Sequence, residues 1–385
     1  MRIAFLCGGL EAGRDGVGDY SVGLAGELVA RGHSSVVVAL NDEIAPGIAR
    51  QSERNGAPII RLARSSSWIE RQEWLKRFLA SEPYDWISLQ FVPFGFHSRG
   101  LSWGLADRLS RIRGGARAHA MIHELWVHLG QPFSFRRHFI LGRLQRVVVL
   151  RLLRRLNPEI IHTHAAPYAA ALRTAGFRIR ALPLFGSIPS PTPRDIALVD
   201  SILATTGVPP EGGFLVAGLF GAIHAEWNPD EALASLIQYA AAQGRKVALV
   251  VFGKPGPYGP RKLLRVRERW QREIVVVDLG FVSPAVAGGI IARLDFAFAT
   301  TPWGVIGKSS AVAGYLDFGV PTLVTRNDGP EVNDMEFAPN PLLVRYAMGH
   351  SFDWGQFLLR RQQPVPRLAE VTDRFLYDLQ SVAAR

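Results

Sequence analysis

The sequence predicts an α/β protein built as two consecutive parallel-sheet domains. Three observations carry that expectation. Its 385 residues exceed what one hydrophobic core usually organises. Short apolar runs alternate with helix-length segments, the order of a parallel sheet with helices on both faces. The alternation then restarts after Leu184–Pro193 (LFGSIPSPTP), a stretch rich in Pro, Ser and Gly that suits a crossing between domains.

Arg2–Cys7, apolar from Ile3 onward, reads as a first strand buried on both faces. Gly8–Gly18 holds five glycines in eleven residues, after which Asp19 can cap a helix running to Arg31. Gly32 stops that helix, and Ser35–Leu40 is the second strand. A dinucleotide fingerprint would need a third glycine in step after Gly16-Val17-Gly18, where Tyr20-Ser21 stands instead. Further strands are expected at Ile59–Leu62, Trp86–Phe91, Arg117–Ile122 and Glu159–Thr163. Polar residues gather where two of them end, as Gln90-Phe91-Val92-Pro93 and as His123-Glu124. His119, His123, His128, His162 and His164 form no HExxH pattern, and no D-x-D occurs, so no metal site is expected.

Phe135–Leu156 predicts a basic amphipathic helix ended by Asn157-Pro158. Six of its seven arginines (136, 137, 143, 151, 154, 155) fall within an arc of about 120°, opposite Leu141, Val148, Val149, Leu152, Leu153 and Leu156. Such a helix either packs its apolar side on the sheet and hydrates its arginines, or lies on an anionic membrane.

In the second half, Phe214–Phe220 is a strand, Gly221–Asn228 a loop and Pro229–Gln243 a helix with Pro in its first turn. Val247–Phe252 ends in Gly253-Lys254-Pro255-Gly256, and Ile274–Val277 follows. Asp295–Ala299 opens a βαβ unit. Its loop, Thr300–Gly307, leads to a helix started by Ser309 and Ser310 and stopped by Gly319, and Thr322–Thr325 is the return strand. The loop and helix start fall at the carboxyl edge of the sheet, where open α/β folds bind ligands and free N–H groups suit phosphate. Lys308 stands there, although a P-loop would need Gly where Pro302 sits.

Composition limits the partners. Lys and Arg number 44 against 33 acidic residues, and the excess of Arg favours phosphate-bearing molecules. The single cysteine, Cys7, rules out an internal disulfide framework. No signal-like segment precedes Arg2–Cys7 and no run is long enough to span a bilayer, so a cytoplasmic location is expected, with residues 135–156 offering a peripheral contact at the inner membrane face.

Gly16-Val17-Gly18-Asp19-Tyr20 with its small-residue helix and Arg31-Gly32-His33, and the strand, Pro-containing loop, small-residue helix and Gly319-Val320-Pro321 turn, resemble GT-B glycosyltransferases. The likeness is to the large retaining, family 4-like group that includes sucrose and mannosyl transferases, and it covers nearly the whole chain. It implies a GT-B fold, two Rossmann-like domains facing across a cleft. Residues 1–186 would be the acceptor side, 187–365 the nucleotide-sugar donor domain, and helix 366–385 would cross back onto the first. It implies transfer of a sugar from a nucleotide-diphosphate sugar to a glycan, lipid-linked or small-molecule acceptor, with retention, without metal or other cofactor, and without nucleic acid as a partner.

Residue by residue, the resemblance assigns His123 and Glu124 to alignment of the reacting centre, and Gly16, Gly18 and Asp19 to an acceptor or sugar loop. Gly221, Ser309 and Ser310 are placed at the donor phosphates, with His224, Lys254 and Lys308 as the available substitutes for the group's cations there. Two features depart from the group. Its paired glutamates would fall on Ile306 and Gly314, and its phosphate-binding Arg and Lys on Ala222 and Trp227. The missing acidic pair motivates the alternative expectation of a catalytically silent GT-B protein that binds a nucleotide sugar or a partner enzyme.

Overall fold

A computed structural model describes residues 1–11, 15–43, 45, 47–129, 137–210 and 213–383. The chain forms two compact units. The first comprises Met1–Leu184, Pro330–Phe337 and Leu368–Arg385, the second Phe185–Gly329 and Ala338–Arg367.

The first unit is an eight-stranded sheet. Its strands are β1 (Arg2–Cys7), β2 (Ser34–Asp42), β3 (Ala49–Arg54), β4 (Ala57–Ala63), β5 (Trp86–Phe91), β6 (Arg117–Ile122), β7 (Ile160–Thr163) and β8 (Arg180–Ala181), in the order β3-β4-β2-β1-β5-β6-β7-β8. All neighbours are parallel except β3 and β4. The antiparallel β3 has no counterpart in the sequence expectation, because Ala-Arg-Gln-Ser-Glu-Arg shows no apolar alternation.

The first helix, Gly16–Ala30, begins earlier than expected. Asp15, not Asp19, is its N-cap, accepting from the Val17 and Gly18 amides at 3.1 and 3.0 Å. The last helix, Leu368–Ala383, belongs to this unit. Its Phe375 is fully buried 5.9 Å from the Phe5 ring, and its Asp373 pairs with Arg31.

The second unit has β9 (Phe214–Phe220), β10 (Lys246–Phe252), β11 (Ile274–Asp278), β12 (Phe296–Ala299), β13 (Thr322–Val324) and β14 (Leu343–Arg345), all parallel in the order β11-β10-β9-β12-β13-β14. Alternate residues of β10 enter opposite cores. Val247, Leu249 and Val251 join Trp227, Phe296 and Trp354, while Ala248, Val250 and Phe252 join Ile290, Ile291 and Tyr315. Each large side chain so buried contributes about 1.5–3 kcal/mol, which is why the strands here read as continuous apolar runs.

Pro330–Phe337, expected within the 187–365 domain, groups with the first unit instead. Arg173 pairs there with Asp334 and, at 2.7 Å, with Glu336, whose other oxygen accepts the Ala181 amide at 2.6 Å. The segment has no apolar pattern to betray this attachment, which rests on ion pairs, hydrogen bonds and the Arg173 guanidinium 5.9 Å from the Phe337 ring. Among the described residues, no helix is long and apolar enough to cross a membrane.

Candidate functional site

In the second unit, three loops meet at the carboxyl ends of β9, β12 and β13. Gly221 leaves β9 at φ +80°, a backbone that only glycine adopts without strain, and its amide donates to the Phe252 carbonyl at 2.9 Å. The Thr300 hydroxyl, just past β12, donates to the Ala222 carbonyl at 2.8 Å. The Trp303 amide donates to the Arg326 carbonyl at 3.0 Å, and Arg326 Nη1 reaches the Thr300 carbonyl at 3.3 Å. These bonds join the β9, β12 and β13 loops into one rim.

The rim is cationic. Lys308 ends the short 3₁₀ turn Trp303–Lys308 and is half-buried. Ser309 caps the helix Ser310–Asp317 by accepting the Val312 amide at 3.3 Å, so the helix opens beside Lys308 with its first amides uncommitted to helical partners. Arg326 is buried and forks onto Asp328, with Nε at 2.8 Å from Oδ1, and Glu226 lies 3.4 Å away. Both acids are more than half exposed, whereas the Arg326 side chain is 7 % exposed. Desolvation first, then the charges of Arg326 and Lys308, hold the exposed His224 below its ordinary imidazole pKa.

Five of the six expected donor-side residues, Gly221, His224, Lys308, Ser309 and Ser310, thus lie on or beside this rim. Lys254 instead sets its amine 5.7 Å from the Phe281 ring. Trp227, at a position where the resembling group carries a cation, is fully buried in the core. Arg326 was missed by sequence reasoning. Its signal was available, since Thr325-Arg326-Asn327-Asp328 directly follows an apolar strand.

At the carboxyl edge of the first sheet, His123 follows β6 and is 5 % exposed. Its Nε2 lies 2.9 Å from Gln90 Oε1, and its ring meets Tyr20 edge-on at 5.1 Å, with His164 at 5.6 Å. Burial pushes its pKa down to about 3, so the ring is neutral at neutral pH. The ring's hydrogen bond runs to Gln90 rather than to Glu124. A neutral imidazole cannot donate a charge-neutralising proton; it can fix the orientation of a hydroxyl.

Gly16, Gly18 and Asp19 are a correction to the expected loop. They form the first turn of the helix that Asp15 caps. Gly18 is glycine because a Cβ would come within 2.8 Å of the Gly9 carbonyl oxygen, and Asp19 pairs with Arg54 at 2.6 Å. Gly13 and Arg14 of the glycine-rich stretch lie outside the described residues, as do Phe135 and Arg136 of the basic helix. Among the described residues, no group of three or more His, Cys, Asp or Glu is disposed to hold a metal ion.

Two parallel-sheet units of this kind define a class: the chain has the GT-B fold, shared with glycosyltransferases of known structure. One such structure is Anabaena HepE in complex with UDP and glucose, at 15 % identity and a TM-score of 0.61, covering 99 % of this chain and 100 % of that one. Sucrose-phosphate synthase from Thermosynechococcus elongatus matches at 15 % identity and a TM-score of 0.64 over 100 % of both chains. The catalytic domain of Arabidopsis thaliana starch synthase IV, bound to ADP and acarbose, matches at 11 % identity and 0.59 over 100 % of both. No protein-family model matches the chain, and no curated protein matches it in sequence.

Proposed function

We propose that this protein is a glycosyltransferase of the hexosyl-transferring kind, moving a sugar from a nucleotide-diphosphate sugar to a glycan, lipid-linked or small-molecule acceptor. The carrying observation is the rim of the second sheet, where buried Arg326, half-buried Lys308 and the opening of the Ser310–Asp317 helix come together. That chemistry suits a diphosphate: a planar guanidinium, a point charge and unpaired amides. Asp328 and Glu226, being exposed, can yield Arg326 to a phosphate at small cost. Structures of the same fold that hold UDP or ADP support a nucleotide diphosphate here.

In the reaction, the bond between the anomeric carbon and the diphosphate oxygen breaks, and its electron pair leaves with the diphosphate. The acceptor hydroxyl bonds to that carbon and passes its proton to the departing diphosphate. Lys308, Arg326 and the amides that open the Ser310–Asp317 helix stabilise the charge that develops, the Ser309 amide being already given to the Ile306 carbonyl, and the task asks for no metal. Neutral His123 aligns a hydroxyl of the sugar or acceptor. Retention of anomeric configuration is part of the proposal, as is a cytoplasmic site of action.

The basic helix, described as Arg137–Leu156, supports contact with an anionic membrane. Val148, Val149, Leu152, Leu153 and Leu156 are buried, yet Ile140, Leu144 and Val147 stand 49, 43 and 53 % exposed among the exposed Arg143, Arg151 and Arg154. The functional test is a panel of nucleotide sugars. Binding should raise the melting temperature, and the binding donor, mixed with acceptor extracts, should release nucleoside diphosphate only when an acceptor is present. A panel with no thermal response would sink the proposal.

A further inference from the structure

A row of hydrogen bonds crosses the first unit from its last helix to His123. Asp378 Oδ2 lies 2.8 Å from His162 Nε2, and His162 Nδ1 lies 2.9 Å from His119 Nε2. His119 Nδ1 is 2.7 Å from the Ser88 hydroxyl, Ser88 Oγ is 2.7 Å from Gln90 Nε2, and Gln90 Oε1 is 2.9 Å from His123 Nε2. The row traverses three neighbouring strands, β5, β6 and β7, on one face. Phe375 of the last helix roofs it, at 5.2 Å from the His119 ring and 6.4 Å from that of His162. Ser88, His119 and His162 are fully buried, Gln90 is 1 % exposed and Asp378 6 %.

Its protons admit one arrangement. Burial raises the Asp378 pKa, but the hydrogen bonds and charges of His162 and Arg180 outweigh that and leave it low, so Asp378 is a carboxylate and only accepts. His162 must therefore carry its proton on Nε2. Burial, ahead of all other causes, lowers the pKa values of His162 and His119, so each ring holds a single proton. Because His162 Nδ1 is then an acceptor, His119 donates from Nε2 and accepts at Nδ1 from the Ser88 hydroxyl. The Ser88 oxygen in turn accepts from the Gln90 amide nitrogen, which turns the Gln90 carbonyl oxygen toward His123. His123 donates from Nε2. Its Nδ1 is left with a lone pair, and among the described residues no hydrogen bond reaches that atom.

We propose that Asp378, His162, His119, Ser88 and Gln90 are positioning residues that together fix the tautomer of His123, so that its Nδ1 presents a hydrogen-bond acceptor to a hydroxyl of the bound sugar or acceptor. The sugar-facing role rests on the transferase reading above; the tautomer does not. Packing alone gives no reason for the row, because apolar residues of similar volume usually serve a buried position as well or better. What the row adds is direction. A charge at one end selects one of two senses for every donor along it, and the far end is the histidine at the sheet's carboxyl edge.

The test reads the ring nitrogens directly. Histidine-labelled protein, without substrate, at neutral pH, should show His119, His123 and His162 all protonated on Nε2 in long-range nitrogen–proton NMR spectra. In Asp378→Asn the end group can donate or accept, and the Nε2–H to Nδ1–H ratio at His123 should fall about tenfold or more, the scale of one charge-assisted hydrogen bond. Ser88→Ala, which cuts the row midway with one atom lost, should act likewise. Asp373→Asn, on the same helix but paired with Arg31, should change nothing. A parent His123 protonated on Nδ1 overturns the proposal, even if neither variant folds. So does a folded Asp378→Asn or Ser88→Ala protein that keeps the parent's ratio. Once a donor is known, both variants should lose turnover about tenfold while the donor KM holds. If tautomers respond as stated and no donor binds, the row stands and the transferase reading falls.

Discussion

Acid should loosen the first unit through His123 in a way that a single substitution cancels. The ring is neutral in the fold, with a pKa near 3 against the ordinary 6.5. Between those values the unfolded chain holds a proton that the native chain refuses. The contribution is therefore complete above pH 6.5 and lost as pH falls toward 3. At pH 4.5 two units of that gap have been crossed, a loss of about 3 kcal/mol. His123→Gln keeps a donor for Gln90 and removes the titration. Hydrogen exchange of peptides spanning β6, corrected for intrinsic rates, would compare pH 7 with pH 4.5 in both proteins. Protection in the parent should fall about a hundredfold more than in the variant, since about 3 kcal/mol is two decades. His119 and His162, also held neutral by burial, weaken both proteins alike and do not disturb the difference. An equal fall in the two proteins would refute the reasoning, and with it the neutrality of His123.

Lys308→Ala should weaken nucleoside-diphosphate binding about tenfold or more with little change in melting temperature, because the side chain is only half-buried. Arg326→Met should weaken it at least as much; calorimetric affinities within twofold of the parent would remove either residue from the phosphate site. His123→Gln should leave nucleotide affinity within a few-fold and cut turnover by about 10², so normal turnover would displace the proposed centre. Co-sedimentation with acidic vesicles should be strong at low salt and decline as salt is added, since exposed charges are screened within about 10 Å at 0.1 M. Absence of binding at low salt would leave the arginines of residues 137–156 as a hydrated face.

The architecture was legible because parallel sheets buried on both sides leave long apolar runs, as in Ile3–Cys7 and Val247–Phe252. What escaped was held by polar contacts. The β3 strand, the attachment of Pro330–Phe337 and the Asp15 cap have no apolar pattern behind them. Arg326 was overlooked for a different reason. The expected cations were sought at Ala222 and Trp227, whereas the buried guanidinium projects from the neighbouring β13 loop. The spacing of the histidines at 119 and 162 speaks only to metal ligation or to ordinary strand positions. Their link to Asp378 spans 216 residues of sequence, and no local spacing rule reaches that far.

The last helix has a consequence for how the molecule is made. Residues 1–184 emerge from the ribosome first, yet the side chains that roof and anchor β5 to β7, Phe375 and Asp378, emerge only after the whole second unit. At translation speeds of about 5–20 residues per second, that interval is roughly 10–40 s. Throughout it the nascent first unit must keep a row of histidines, a serine and a glutamine under an open roof, where water can enter and compete for their protons. The second unit, continuous but for the small excursion at 330–337, has no such wait. Folding order thus runs against synthesis order, and the piece begun first is sealed last.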